Sequence, residues 1–461
     1  MISSVADYET RKVRLQEQMR RAGDVRLAKG TASNLFRVRE EANANRGAQQ
    51  NLLSVRDFNH VIAVNVAEEW ADVEGMTTYE SFVEETLKCG VMPTVVPQLK
   101  TITIGGAVAG VGIEATSFRY GLVHETILEM EILLANGDVV ICSKTQNPDL
   151  FYGFPNSYGT LGYALRLKVK VIPVKKFVKI ERIKYNDATS YFQALEKICG
   201  TGGAANRGDG ASRSVDFVDG ALFGPREMYI TTGTFVDEAP FASDYTYMDI
   251  YYKSIRKQTE DYLSTRDFIW RWDTDWFWCS KYFGVENPLV RRLFGRRRLN
   301  SAVYWKIRNF AQRHPFIVKA ASGFSRREPV IQDVDIPIGN APKFAEFFFR
   351  EIDIRPVWIC PFRTYDPTAK FNLYSFDPRK PYINFGFWDS VASDKPDGFY
   401  NRRIEATVFE LHGKKGLYSD SYYTPEEFWN SYDKFAYDAL KRKYDPQGKL
   451  KNLYEKTVER K

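Results

Sequence analysis

Histidine is scarce in this 461-residue sequence, with four in all, and the five cysteines form no Cys-x-x-Cys pair. Cys89, Cys142, Cys199, Cys279 and Cys360 lie far apart along the chain. A zinc site needs clustered Cys and His ligands, and a disulfide framework needs close cysteines in a small secreted chain. Neither is indicated, no metal is expected, and a reducing compartment is the natural setting. No run of about 18 apolar residues occurs, so no membrane-spanning helix is expected. The opening MISSVADYETRKVRLQEQMRR is polar where a secretory leader would need an apolar core. The expectation is a cytoplasmic protein, soluble or peripheral at a membrane. No internal repeat or low-complexity tract is visible.

What is abundant is aromatic: 15% of residues, including nine tryptophans and 27 tyrosines. Such residues build plain core, or line large apolar cavities and membrane-facing surfaces. The net charge of +7 is modest for this length and scattered, so no nucleic-acid partner is expected. The densest basic cluster is RRLFGRRR, Arg291 to Arg298, which reads either as a solvated helix end or as a contact for anionic lipid headgroups. A chain this long exceeds one ordinary hydrophobic core, which makes two domains the default.

Glycine is concentrated in TITIGGAVAGVGIEATSFRYG, residues 101 to 121. A P-loop would continue into Gly-Lys-Ser/Thr, and none follows. Gly110, Gly112 and Ala115 satisfy a G-x-G-x-x-A spelling, but that fingerprint must open a long helix in a βαβ unit. Here LVHETILEMEILLANGDVVICS follows, and its Asn136-Gly137 between apolar runs signals a hairpin. The stretch is therefore read as a glycine-rich loop, and the plainest role for such a loop is a close packing contact.

Elsewhere, residues 8 to 22 read as a helix, and VRLAKGTASNLFRVRE as a strand running into a tight loop. FNHVIAVNVAEEWADVEGM carries two strands, and Thr77 or Thr78 caps the helix YESFVEETLKCG, which stops at Gly90. The alternation in ALRLKVKVIPV marks a half-exposed antiparallel strand. Beyond Lys176 the character shifts to aromatic, charged segments such as DFIWRWDTDWFWCSKYFG, and a domain boundary is placed there.

The succession VVPQLKTITIGGAVAGVGIEATSFRYGLVHETILEMEILLANGDVV, then NPDLFYGFPNSYGTLGYALRLKVKVIP, resembles the flavin-binding domain of the vanillyl-alcohol oxidase (p-cresol methylhydroxylase, PCMH) superfamily. Its closest similarity is to the 24-dehydrocholesterol reductase (delta-24 sterol reductase, Diminuto-like) branch. VIQDVDIPI, VWICPF and LHGKKGLYSDSYYTPEEFW resemble that branch's later segments. The resemblance implies an α+β fold: a two-subdomain PCMH-type FAD-binding domain over 1–176, an α+β substrate or cap domain over 177–400, and a segment 401–461 that completes the active site and packs back. It implies FAD held between subdomains, with backbone amides of a glycine-rich loop at the pyrophosphate, where a Cβ would block the approach. Carried over position by position, the cofactor residues are Lys29, Ser33 and Asn34 in the first loop, then Thr103, Ile104, Gly105, Gly106, Gly110, Gly112, Ser117, Gly121 and His124. A second signature adds Gly159, Thr160, Leu161 and Gly162. The first loop, LAKGTASNLF, lacks the histidine that often tethers flavin in this family, so noncovalent FAD is implied.

Saturating a carbon–carbon double bond requires a hydride from the cofactor and a proton from the protein. The segment resembling the reductase tail offers His412, Tyr418, Asp420 and Tyr422, of which Tyr422 is the leading donor and His412 a donor or turn cap. Glu114 is a further catalytic candidate, although a tie to ribityl hydroxyls or to Arg119 fits it better. Asp333 and Asp335 alternate in QDVDIP and share one strand face, lining a cleft or meeting solvent. The resulting expectation is an FAD-dependent reductase of a lipid double bond, sterol-like, isoprenoid or unsaturated acyl, with NADPH as electron donor. The alternatives are an FAD-dependent oxidase or dehydrogenase of an alcohol or sugar lactone, and a noncatalytic flavin- or lipid-binding protein.

Overall fold

In the computed structural model of the chain, which describes residues 5–23, 25–28, 51–200, 204–206, 212–313 and 326–459, YALRLKVKVIP forms the longest strand of a first sheet. Leu165, Leu167, Val169 and Val171 are buried, and the Arg and Lys residues between them are half-exposed. Period-two alternation on a half-solvated sheet produces this pattern. Strands β1 (Val25–Ala28) and β2 (Asn51–Ser54) pair in parallel, and the helix Val5–Arg21 shares their apolar cluster. The first sheet comprises β3 (Val61–Asn65), β4 (Trp70–Glu74), β5 (Val91–Pro93), β6 (Ile127–Leu133), β7 (Val139–Ser143) and β8 (Tyr163–Pro173). Its order is β3-β4-β8-β6-β7, with β5 added to β8, and all its pairs are antiparallel. Asn136-Gly137 turns the β6–β7 hairpin, with Gly137 at φ +88°. Thr78 caps the helix Tyr79–Leu87 by accepting the Ser81 N–H.

A second sheet follows. It contains β9 (Phe177–Tyr185) and, after a small hairpin of β10 (Ala204–Asn206) and β11 (Ser212–Ser214), the strands β12 (Phe217–Gly224), β13 (Glu227–Val236) and β14 (Glu260–Ser264). The sheet is completed by β15 (Arg327–Pro337), β16 (Val357–Phe362), β17 (Tyr382–Ala392) and β18 (Lys414–Lys415). The eight strands run antiparallel in the order β14-β9-β13-β12-β16-β17-β15-β18. The α+β class expected from the sequence is the class observed.

The two faces of this sheet differ in what covers them. Val330, Val334, Ile336, Ile359, Phe385 and Phe387 join the helices Ala188–Gly200, Ala341–Glu351 and Phe399–Glu410 in one apolar cluster. The alternate residues, among them Ile331, Trp358, Cys360 and Trp388, pack instead with the glycine-rich segment and the aromatic segment around Trp272. In that aromatic segment Trp276 and Phe277 both adopt left-handed backbone, with φ of +47° and +60°. Asp275 there accepts two hydrogen bonds from Arg291, at 2.7 and 3.0 Å. Arg291 is 1% exposed, and Trp276 and Trp278 are buried. The basic run is therefore not one solvated surface: its first arginine is a core ion pair, and the nearby tryptophans are core. Near the C-terminus, the helix Lys434–Tyr444 packs on residues 148–160, with Lys441 Nζ donating to the Thr160 carbonyl at 2.9 Å. Among the described residues no helix is long and apolar enough to cross a membrane, and no group of His, Cys, Asp and Glu could hold a metal ion.

Candidate functional site

The glycine-rich stretch is not the bare loop expected. IGGAVA forms a short helix, Ile104–Ala109, because Thr103 caps it and its small side chains fit against β8. Thr103 Oγ1 accepts the Gly106 N–H at 3.2 Å. The amides of Ile104, Gly105 and Ala107 donate to the carbonyls of Thr77, Gly75 and Thr103, at 3.0, 2.9 and 2.8 Å. A Cβ on Gly105 would stand 2.7 Å from the Gly75 carbonyl oxygen, and one on Gly162 would stand 2.6 Å from that of Leu133. At Gly112 it would meet the Val123 side chain at 2.6 Å. These three glycines admit the chain's own atoms. Gly106 differs: it is exposed, and a Cβ would meet only Thr103 Oγ1 within 4 Å. Gly110 looks onto the Tyr158 ring, 3.6 Å from where its Cβ would be.

Beyond that helix, Ser117 Oγ accepts the Glu114 N–H at 3.1 Å, and Gly121 turns at φ +72° beside the Glu125 carboxyl. His124 is buried edge-on to Phe371, at 4.5 Å between ring centres, and burial pushes its imidazole down to about 3, so it is neutral. In the second signature Asn156, Tyr158 and Gly159 all take left-handed backbone, at φ of +62°, +51° and +76°. Such clustered backbone strain persists only where surrounding contacts enforce it. Thr160 Oγ1 donates to the Ser157 carbonyl at 2.8 Å, and Leu161 is buried. Lys29, Ser33 and Asn34 lie outside the described residues, as does His314.

Glu114 does not meet Arg119, which reaches across instead to the Val215 carbonyl at 2.6 Å and to Ser214 at 2.8 Å. Its partner is Arg271, at 3.0 Å, and the same guanidinium nitrogen lies 2.7 Å from Asp219 of β12. All three side chains are buried, so a cation from the aromatic segment joins a carboxylate of the glycine-rich segment to one of the second sheet. Burial, opposed by Arg271, pushes the Glu114 carboxyl up to about 7. Gln98, Glu114 and Arg271 line a small cavity of about 10 Å³ together with Met92, Phe217 and Phe268, space for about one water. Both amide atoms of Gln98, Glu114 Oε2 and Arg271 Nε are buried with no hydrogen-bond partner. Each such group costs roughly 1–3 kcal/mol unless something satisfies it.

A second polar group lies on the same sheet face. Register sets Asp333 opposite Gly386 and Asp335 opposite Asn384, so both aspartates do share one face. Tyr374 donates to Asp335 at 2.6 Å and Asn384 Nδ2 at 2.8 Å. The Tyr418 hydroxyl bonds to Asp333 and accepts the Trp388 indole N–H at 3.1 Å. Burial pushes the Asp333 carboxyl up to about 7 and that of Asp335 up to about 6. Asn156 ties the second glycine signature to this group by donating to the Leu373 carbonyl at 2.9 Å.

The other two catalytic candidates are placed elsewhere. His412 is exposed, in a left-handed turn at φ +59° just past the helix Phe399–Glu410, the turn-cap side of its sequence reading. Tyr422 lays its ring over Gly398, which caps that helix, and its N–H donates to Glu405. Both are held by the helix that covers the opposite face of the sheet. Arg271 and Asp219 were missed from sequence, although a lone arginine inside the aromatic run FIWRW was a usable signal.

Comparison with known proteins bears on this geometry. Residues 20–143 match the model of the FAD binding domain family. This chain carries an FAD binding domain. It is 28% identical over 416 residues to the Delta(24)-sterol reductase of Homo sapiens, covering 86% of this chain and 75% of that one. The Delta(24)-sterol reductase of Arabidopsis thaliana is 25% identical over 437 residues, 87% of this chain and 75% of that one. Cytokinin dehydrogenase 3 of Arabidopsis thaliana is 27% identical over 197 residues, 42% of this chain. The family resemblance read from the sequence is borne out, and the chain is an FAD-dependent oxidoreductase. The residues present fit the cofactor: the buried, unpartnered atoms of Gln98, Asn156 Oδ1 and Ser157 Oγ flank the two glycine signatures, where a ligand rich in hydroxyl and carbonyl groups would satisfy them.

Proposed function

We propose that this protein reduces a carbon–carbon double bond of a lipid, with noncovalent FAD and with NADPH as electron donor. The observation that carries the reading is the face of the second sheet that meets the glycine segments. It presents Trp358 and Trp388, packed against Phe277 and Trp278 of the aromatic segment, as an apolar layer interrupted by the Asp333–Tyr418 group. An apolar wall suits a hydrocarbon, and a buried acid beside it suits protonation of carbon. Similarity to the sterol reductases runs through both sheets, whereas that to cytokinin dehydrogenase 3 covers less than half the chain. This favours a sterol-like or other isoprenoid or unsaturated acyl substrate over an alcohol or lactone.

FAD, when bound, carries the electron pair from donor to alkene. Gly106, Gly110 and the Asn156–Gly159 turn would hold it, and Arg271 would keep Glu114 and Asp219 from presenting two bare negative charges beside it. His124, being neutral, supplies no charge. A peripheral position at an anionic membrane belongs to the same proposal and is supported by Leu289 and Leu293, 72% and 83% exposed on the helix Pro288–Phe294, beside exposed Arg292, Arg296, Arg297 and Arg298. Anaerobic mixing tests the reaction: NADPH should bleach the flavin and a lipid alkene should restore its colour. Bleaching by an alcohol instead supports an oxidase, and bleaching by neither supports a binding protein.

A further inference from the structure

Within the proposed reduction, we infer that Tyr418 delivers the proton to the alkene carbon and that Asp333 controls whether it can. The inference rests on that reading of the function. Of the two tyrosines that the sequence offered as donors, Tyr418 meets the sheet face that carries Trp388, while Tyr422 is held by the helix on the other side. Its oxygen already accepts the Trp388 N–H, a bond that strengthens as the phenol becomes an anion and so favours proton release. Asp333 Oδ1 is sealed from solvent without a partner, as is Oδ1 of Asn384, a residue only 3% exposed. Both point to an absent hydrogen-bonding occupant of this group. The contacts also join the group to the cofactor side, through Asn156 and Leu373 to Tyr374 and Asp335.

The balance of the step is simple. One alkene carbon would take a hydride supplied by reduced FAD, whose N–H bond breaks as it returns to the oxidised form, and the other would take the Tyr418 proton; the carbon–carbon π bond and the phenolic O–H bond also break, and two C–H bonds form. Protonated Asp333 donates to the phenolic oxygen, leaves the Tyr418 proton directed at substrate, and then refills the phenolate from its own carboxyl. Ionised Asp333 accepts that proton instead and locks it away. The titratable and charged groups facing Asp333 are Asp335 on its own strand, Tyr418 beyond β18, and Tyr374 and Lys414, which bear on Asp335; Tyr158 of the glycine side bears on Tyr418 and Tyr374. Because burial pushes the Asp333 carboxyl up to about 7, the switch lies near neutral pH.

Two measurements test this. The first needs neither cofactor turnover nor substrate: infrared difference spectra of the purified protein between pH 5.5 and 8.5. Protonated-carboxyl bands should titrate across this range, with Glu114 and Asp335 contributing beside Asp333, and one component near pH 7 should be lost in Asp333→Asn; a wild-type-minus-Asp333→Asn spectrum with no such component overturns the inference. The second follows reoxidation of the NADPH-reduced enzyme by a sterol bearing a side-chain double bond, with FAD occupancy matched. Tyr418→Phe should slow reoxidation about 10²- to 10⁴-fold and leave flavin reduction unchanged. The wild-type rate should fall above about pH 7, and Asp333→Asn should flatten that fall, since an amide can donate but cannot ionise. Equal slowing of both half-reactions in Tyr418→Phe, or an unchanged pH profile in Asp333→Asn, overturns it. Failure of every lipid alkene to reoxidise the wild type, with the carboxyl band still titrating, refutes the proposed reaction and with it the proton-donor role, while leaving the buried acid in place.

Discussion

On one face of the second sheet, β15 and β17 present Val330, Val334, Ile336, Phe385 and Phe387 to three helices. On the other face the same two strands, one residue out of step, present Asp333, half-buried with its Oδ1 sealed from water, and Asp335 and Asn384, which with Asp219 on β12 nearby are fully withdrawn from it. Period-two geometry makes the two faces independent. Apolar burial on the first is what any sheet requires. Polar burial on the second lowers stability unless every group is satisfied, and several are not. The helix-covered face thus reads as structure, and the face turned to the glycine segments as the place of chemistry.

The largest effects should separate the faces by stability. Phe385→Ala, which removes a ring 4.8 Å from Phe344 and 5.7 Å from Phe192 between centres, should cost about 3–5 kcal/mol in denaturant unfolding and leave both half-reactions of the folded enzyme intact. Arg271→Met should cost a similar roughly 3–5 kcal/mol because it strands two buried carboxylates, and adding Glu114→Gln and Asp219→Asn should recover most of it. Recovery in the triple variant without recovery of turnover would mark that triad as part of the site.

Adjacent glycines offer the next contrast. Gly105→Ala should destabilise by a few kcal/mol, about 1–3, since its Cβ meets the backbone at Gly75. Gly106→Ala should change stability by no more than about 1 kcal/mol, the gain in helix propensity being set against a Cβ 2.8 Å from the capping Thr103 Oγ1, and yet it should weaken FAD binding measured by fluorescence titration. Unchanged affinity would move the cofactor away from this helix.

Smaller still is a pH effect. The Asp333 carboxyl is raised in the folded protein, so its contribution is fully present below about pH 4, where both states are protonated, and is lost as pH rises to about 7. Asp333→Asn should therefore match the wild type in thermal unfolding at pH 4 and exceed it at pH 8. The smallest effect concerns the surface. Leu293→Asp with Arg292→Glu should abolish salt-sensitive flotation with anionic vesicles while leaving stability within about 0.5 kcal/mol. Flotation that survives both changes removes this patch as the membrane contact.

How much of this was legible in the sequence follows from the range of the forces involved. Local rules found the Asn136-Gly137 hairpin, the alternating β8 strand and the shared face of Asp333 and Asp335, and narrowed the helix cap to Thr77 or the Thr78 observed, since each depends on a few neighbouring residues. The choice of Arg271 over Arg119 as the partner of Glu114 depends on a contact spanning 157 positions, which no local pattern encodes. Arg291 looked like one member of a solvated run because its partner Asp275 belongs to the preceding aromatic segment. The glycine-rich stretch was read as loop because glycine disfavours helix, whereas Thr103 and the packing of Gly105 on Gly75 outweigh that preference. Tyrosine identity alone could not rank Tyr418 against Tyr422; only the side of the sheet that each one meets does so.

That ranking provides the most direct measurement. Tyr418→Phe and Tyr422→Phe, each with FAD occupancy verified, should be reduced by NADPH and then mixed with the alkene lipid under stopped-flow observation. The expected result is reoxidation slowed by at least about 10²-fold in Tyr418→Phe and little changed in Tyr422→Phe, with flavin reduction alike in both. Slowing confined to Tyr422→Phe would place the chemistry on the helix-covered side and contradict the assignment of the two faces.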